Sequence, residues 1–171
     1  MLKPQEVKAR ARRLEDQNYK FRTFLKNCAD YDKLDAQFLA LHRELFANHN
    51  CCECANCCKT YGTTLEDEDI ERISAHLNMT APDFIAEYLV DTDSYGEKGY
   101  QIKESPCTFL EADGRCRIQA CKPRACEEFP FTDKPGRLMS MLSIIDHAEV
   151  CPVVFEILER LKVIYKFRNR G

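Results

Sequence analysis

Cys51-Cys52-Glu53-Cys54-Ala55-Asn56-Cys57-Cys58 is the stretch on which the fold turns. Within it Cys51, Cys54, Cys57 and Cys58 are separated by two-residue spacers, which let a tight turn aim successive thiolates at one point, as zinc and iron–sulfur sites require. Neighbouring Cys57 and Cys58 do not easily point the same way, so one is expected to serve a different metal or a different iron from the other. The fold expected around this run is mainly α with a small β-hairpin, about an irregular, metal-stabilised cysteine-cluster core.

The run belongs to a larger excess. Eleven cysteines occur in 171 residues, at Cys28, Cys51, Cys52, Cys54, Cys57, Cys58, Cys107, Cys116, Cys121, Cys126 and Cys151. Their odd number argues against a disulfide framework. So does the N-terminus, MLKPQEVKARARRLEDQNYK, which is charged where a secretory signal needs an apolar stretch. No apolar run reaches the roughly 18 residues that span a bilayer. A cytoplasmic, reducing setting with thiolate ligation is therefore expected, with no membrane partner. Charged residues of both signs are mixed to a net −3, the balance of a soluble globular chain and not of a disordered one.

Upstream of the run, apolar or small residues recur at Val7, Ala11, Leu14, Phe21 and Leu25, then at Leu34, Phe38, Leu41 and Leu45. Steps of three, four or seven put one apolar stripe on each of two helices, with Asn27 to Asp32 as the turn. Residues 1–48 are read as this helical hairpin or arm, and 49–171 as the cysteine-cluster metal-binding domain against which the arm docks. Downstream, Thr64-Leu65-Glu66-Asp67 offers a helix cap ahead of Ile70, Ile73 and Leu77. Thr80-Ala81-Pro82-Asp83 opens another helix, with Phe84, Ile85, Tyr88 and Leu89 inward and Gly96 and Gly99 in the loop beyond. Asp113-Gly114 between two apolar stretches is a hairpin signal that places Cys107 and Cys116 near the hairpin's two ends. Asp133-Lys134-Pro135-Gly136 reads as a turn. A last helix starts near Pro152, with Val153, Val154, Ile157, Leu158 and Leu161 inward.

Cys107, Cys116, Cys126 and Cys151 are spaced too widely for a single finger, yet each falls near a turn or helix end. They read as the second half of a ligand set, in which case the metal ties the middle of the chain to its C-terminal third. Of the four histidines, only His49 and His147 stand near cysteines, and an isolated histidine is more often a surface or hydrogen-bonded residue than a ligand.

Beyond the cysteine run, three further blocks stand out. They are Leu65-Glu66-Asp67-Glu68-Asp69-Ile70-Glu71-Arg72-Ile73, Pro106-Cys107-Thr108-Phe109-Leu110 with Asp113-Gly114-Arg115-Cys116-Arg117-Ile118, and Lys122-Pro123-Arg124-Ala125-Cys126-Glu127-Glu128-Phe129-Pro130. With them, residues 51 to about 152 resemble the YkgJ-type cysteine-cluster proteins, a zinc- or iron-chelating domain with a CxxCxxCC signature. The resemblance implies eight metal ligands: Cys51, Cys54, Cys57, Cys58, Cys107, Cys116, Cys126 and Cys151. Cys28, Cys52 and Cys121 are extra to it. Two positions depart from the family pattern, Lys122 and Glu127, each standing where arginine is frequent.

All-cysteine ligation suits an iron–sulfur cluster and zinc alike. The resemblance favours an iron–sulfur cluster or clusters, with electron transfer or redox sensing as the implied work. The alternative is zinc in a structural or interaction module, and an enzyme of unknown reaction comes third. No catalytic residues are assigned: Asp113 belongs to a turn, Glu127 and Glu128 to a solvated face, and Asp146 to a cap. The module is similar to a region of flagellin lysine N-methylating enzymes, but no cosubstrate site is recognisable. Basic residues near both ends, from Lys3 to Lys26 and from Lys162 to Arg170, raise nucleic acid as a partner. The acidic stretch from Glu66 to Glu97 and the lack of interleaved aromatics argue against it. A protein partner stays open, and the metal ion or cluster is the expected ligand.

Overall fold

The computed structural model describes residues 1–94 and 97–168. In chain order these form α1 (Pro4–Arg13), α2 (Glu15–Cys28), α3 (Tyr31–Phe46), α4 (Cys51–Cys54), α5 (Asn56–Thr60), β1 (Thr64–Leu65), α6 (Asp67–His76), α7 (Ala81–Tyr88), β2 (Leu89–Ser94), β3 (Glu97–Ile102), a 3-10 turn at Gln119–Cys121, α8 (Arg124–Glu128), α9 (Met141–His147) and α10 (Pro152–Ile164). The fold is mainly α with a small antiparallel sheet. None of the described helices is long and apolar enough to cross a membrane. Contacts divide the chain into two units, Met1–Asn50 with Pro130–Gly171, and Cys51–Phe129. The segment from Pro130 on thus groups with the N-terminal helices.

The first unit packs α10 against α1, α3 and α9, and α2 against α9. Its buried side chains follow the expected stripes: Val7, Ala11, Phe21, Leu25, Leu34, Phe38, Leu41 and Leu45 from the front of the chain, and Val153, Val154, Ile157, Leu158 and Leu161 from α10. Burying each of the larger ones is worth about 1.5–3 kcal/mol. Three helices stand where two were expected, because the first stripe is interrupted at Leu14, which has left helical geometry (φ −105, ψ 6). No Gly or Pro marks this break, so periodicity carried straight through it. The turn before α3 falls where it was placed, and Asp30 caps that helix by accepting the Lys33 N–H at 2.8 Å.

Proline-rich backbone between Pro130 and α9 is pinned by side chains. The Asp35 carboxylate accepts the Gly136 and Arg137 N–H groups at 2.6 and 2.8 Å. The Arg137 guanidinium donates to the carbonyls of Pro135, at 2.8 Å, and Phe131.

In the second unit, Leu65, Ile70, Ile73, Phe84, Leu89, Ile102, Phe109, Ile118 and Cys121 form one buried cluster, with Cys107 and Cys116 half-buried against it. Glu66, not Thr64, caps α6, through a capping box with Asp69. Thr64 and Leu65 instead form β1, which pairs with β3 (Thr64 with Gln101, Leu65 with Tyr100). β2 pairs with β3 from Leu89–Ile102 to Ser94–Glu97, giving the order β1-β3-β2. From sequence, Leu89 reads as the end of a helix and Gly96 and Gly99 as loop, and only Tyr100-Gln101-Ile102 alternates as a strand does. Asp91-Thr92-Asp93-Ser94 has no apolar alternation, and Asp is depleted in strands, so pairing overrode propensity. Gly99 lies within β3, and Gly96 falls outside the described residues. The expected hairpin at Asp113-Gly114 is a chain reversal with a single bridge between Leu110 and Cys116.

One titration follows from the first unit. Burial holds His147 neutral, with its pKa below the ordinary 6.5, despite an opposing hydrogen bond to the Pro130 backbone and the nearby Asp146 carboxylate. The unfolded chain then binds the proton first, so stability is full above pH 6.5 and falls as pH drops below it. Thermal unfolding between pH 7.5 and 5 should show Tm declining through this window, with a shallower slope in His147→Gln. An unchanged slope would refute the assignment.

Candidate metal centre

The run from Cys51 to Cys58 folds as α4 and α5, meeting at a left-handed residue. Ala55 has φ 46, closes its N–H on the Cys51 carbonyl at 2.7 Å, and offers its own carbonyl to the Lys59 N–H at 3.1 Å. A left-handed alanine costs about 1–2 kcal/mol relative to right-handed backbone. One residue therefore ends the first helix and starts the second, and the spacer between Cys54 and Cys57 contains the break.

Adjacent residues on a helix leave it about 100° apart, the basis for assigning Cys57 and Cys58 to different centres. Their sulfurs nevertheless lie 4.0 Å apart. Four thiolates about a zinc at 2.3 Å stand roughly 3.8 Å from one another, so the pair matches one edge of such a tetrahedron. The obstacle inferred from adjacency does not hold.

The second half of the cysteine set is brought to the first by backbone. The Cys107 N–H donates to the Cys58 carbonyl at 2.8 Å. From Cys107 the chain passes Phe109, which stacks with Phe84 and Tyr88 and carries Arg117 over its face, and reverses at Asp113-Gly114. Asp113 accepts the Arg115 N–H at 3.0 Å, and the Glu111 N–H donates to the Arg115 carbonyl at 2.8 Å. Gly114 has φ 84, and a Cβ there would sit 2.0 Å from the Cys52 carbonyl oxygen. The turn before Cys116 thus docks backbone to backbone on α4.

Cys126, on α8, donates its thiol to Thr63 Oγ1 at 3.2 Å. The segment leading to it is held by a buried carboxylate. Asp69, only 2% exposed, accepts Arg72 Nη2 at 2.6 Å, the Arg124 N–H at 3.1 Å and the Glu66 N–H at 3.3 Å. Arg72 Nη2 also donates to the Lys122 carbonyl at 2.7 Å. Asp69, Arg72, Thr63 and the packing of Gly114 were not singled out from sequence. An Asp in the first turn of a helix reads as an ordinary dipole partner, and nothing local shows a partner some 50 residues on.

Electrostatically these thiols form one set centred on Cys58. The Cys57 thiol donates to it and, with the Lys122 and Lys59 ammonium groups, outweighs burial to bring its pKa down to about 6. Burial acts the other way on Cys51, Cys107, Cys116 and Cys126, each of which also feels the charge of Cys58. Cys126 reaches about 11, its exposed outer surface notwithstanding, since the thiol is desolvated among protein atoms. Cys54, buried, acts on Cys51.

Seven of the eight cysteines implied by the resemblance therefore fall in the unit Cys51–Phe129, linked by these contacts and charges. Cys151 lies in the other unit, buried at the N-cap of α10. Of the extra cysteines, Cys121 is core, 5% exposed, and Cys28 and Cys52 are exposed. None of the eleven is in a disulfide. His147 is buried in the first unit, and Glu128 pairs with Arg124 at 3.3 Å. Among the described residues no three side chains stand ready as a ligand shell, so a metal would draw these thiols inward from their present positions. The donor chemistry fits a thiophilic ion: soft sulfur, one S–S edge of tetrahedral length, and one thiol already biased to thiolate at neutral pH.

Residues 50–152 match the family described as "CxxCxxCC: Putative zinc- or iron-chelating domain". No curated protein and no solved structure matches the chain.

Two outcomes follow. Gly114→Ala puts a methyl into the Cys52 carbonyl and forces a side chain into left-handed backbone. It should cost at least about 1–2 kcal/mol and lower metal content, whereas wild-type Tm and stoichiometry would refute the docking. In metal-free protein at pH 7, iodoacetamide should alkylate Cys58 first, at a rate rising through about pH 6, and Cys126 slowly. Peptide mass mapping that finds Cys126 as reactive as Cys58 would reverse the assignment.

Proposed function

The chain belongs to the CxxCxxCC family of zinc- or iron-chelating domains, and from that membership we propose that it holds a metal centre through thiolates of Cys51, Cys54, Cys57, Cys58, Cys107, Cys116 and Cys126. The observation that carries this reading is the convergence of charge on Cys58, which acts on or is acted on by thiols from α4, α5, the Cys107–Cys116 turn and α8. Thiols spread over 76 residues of chain repel one another once ionised, and a bound cation offsets that repulsion.

The 4.0 Å edge between Cys57 and Cys58 supports two thiolates on one tetrahedral ion, an arrangement zinc adopts directly. Each iron of a four-iron cluster takes one cysteine, so the edge favours zinc over that form. Bound in a four-thiolate shell, zinc supplies folding free energy to the unit around it. The iron–sulfur reading, with electron transfer or redox sensing, is the second, supported by the all-sulfur donor set and by more cysteines than one tetrahedral ion needs.

Anaerobic purification with elemental analysis tests both. Colourless protein with stoichiometric zinc is the expected result, and chelator treatment should lower its Tm. Broad visible absorbance with iron and acid-labile sulfide would overturn zinc in favour of the cluster, and protein that takes up neither metal would overturn both. Cys54→Ser and Cys126→Ser should each reduce metal content, and unchanged stoichiometry removes that residue from the set. Cys151 is judged in the same assay, lower content in Cys151→Ser assigning it to the ligands.

A further inference from the structure

Where α2 meets the end of α10, the first unit has an open cleft of about 390 Å³, formed without any cysteine. That volume lies within the range of about 300–1,000 Å³ usual for small-molecule sites. Lys162 lines it with only 6% of its surface exposed. Its Nζ donates to Gln17 Oε1 at 2.9 Å and to Glu159 Oε1 at 2.5 Å. An ammonium carries three N–H donors, and no further described residue accepts the third. Lys166 and Arg168 line the same cleft, exposed and in no ion pair among the described residues. Three cations and one carboxylate therefore border the space, and the carboxylate is already paired with Lys162.

The backbone supplies a second observation. α10 ends in a turn whose Phe167 N–H donates to the Lys162 carbonyl at 2.9 Å and whose Lys166 N–H donates to the Val163 carbonyl at 3.0 Å. The residue at the bend of such a turn takes left-handed backbone and is usually glycine. Here it is Lys166, at φ 51, and a side chain in that conformation strains the chain. Cations in the last turn of a helix complement its dipole, but that role requires neither a buried lysine nor a strained one. The turn also engages the Lys162 and Val163 carbonyls, which weakens their repulsion of an anion, and seats Phe167 with its ring centroid 5.1 Å from that of Phe21 and 5.3 Å from that of Phe24. With Val163, Phe167 gives the cleft an apolar wall.

We propose that this cleft binds a small phosphate monoester, its phosphate held by Lys162, Lys166 and Arg168 and its apolar body laid against Phe167 and Val163. A monoester presents three terminal oxygens and nearly two negative charges at neutral pH, which matches three separate cationic donors better than the two oxygens and single charge of a carboxylate. The inference does not rest on the metal-binding reading, because no cysteine takes part.

The test is isothermal titration of the full-length chain with phenyl phosphate at pH 7.5. Wild type should bind with Kd below about 1 mM, more weakly as salt is added. Inorganic phosphate, which lacks the apolar body, should bind at least about threefold more weakly. Lys162→Met removes a charge-assisted donor and should weaken phenyl phosphate binding about tenfold or more. Glu159, 35% exposed, keeps its contact with water in that variant. Lys166→Gly and Arg168→Gln remove exposed charges and should each cost about 2–5-fold. Because Lys166→Gly also relaxes the left-handed backbone, its Tm should equal or exceed that of wild type, which separates a lost charge from a weakened fold and keeps the test open if Lys162→Met does not fold. Lys33→Met, which removes a charge from the same unit outside the cleft, should leave affinity unchanged. Wild type that binds no phenyl phosphate, inorganic phosphate that binds as tightly, or Lys166→Gly and Arg168→Gln that both bind as wild type does would overturn the proposal. A single-stranded oligonucleotide that displaces phenyl phosphate and binds more tightly would overturn it in favour of nucleic acid.

Discussion

Thiolates repel one another, and the second unit of this protein is organised around bringing several of them to one place. Five cysteines, Cys51, Cys57, Cys107, Cys116 and Cys126, act on Cys58 or are acted on by it. The polypeptide opposes that repulsion partly with hydrogen bonds, such as Cys57 to Cys58 and Cys126 to Thr63, and partly with the ammonium groups of Lys59 and Lys122. Burial pushes the thiols of Cys51, Cys107, Cys116 and Cys126 up, and that of Cys58 is brought down. Keeping Cys51, Cys107, Cys116 and Cys126 toward the thiol while Cys58 favours the thiolate limits the repulsion to be overcome before a cation arrives.

Two kinds of scaffold hold these groups. One is apolar: Phe84, Tyr88 and Phe109 form a packed aromatic floor beneath the segment from Cys107 to Cys116. The other is polar and more demanding, because Asp69 is a carboxylate removed from water. A buried charge of this kind is tolerated only when fully partnered, and its three donors come from Glu66, Arg72 and Arg124. That requirement fixes α6 against the stretch from Lys122 to Arg124 with a directionality that apolar packing alone lacks. The irregular backbone between the elements thereby acquires defined positions with very little regular structure.

What could be read from sequence divides along the range of the forces involved. Helices with strong apolar stripes, such as α3 and α10, were legible from Leu34 to Leu45 and from Val153 to Leu161, because burial of a stripe is a local pattern. The Thr80 cap was legible for the same reason. The β2–β3 hairpin was not, since Asp91 to Ser94 form a strand through pairing with β3 and not through any preference of their own. The break at Leu14 carries no glycine or proline to announce it. At the candidate site, cysteine spacing exposed the donors, but the 4.0 Å approach of Cys57 and Cys58 reversed an argument from adjacency. The role of Asp69 depends on residues some fifty positions away, beyond any local rule.

The contact between Gly114 and Cys52 separates two meanings of a cysteine in this chain. What the turn meets at position 52 is a main-chain carbonyl, which every amino acid carries. The docking therefore constrains the identity of residue 114 severely and that of residue 52 scarcely at all. Side chain and position are independent currencies of information here, and a tally of thiols records only the first. Drift at 52 leaves the geometry of the run intact, while drift at 114 alters it without touching a single sulfur.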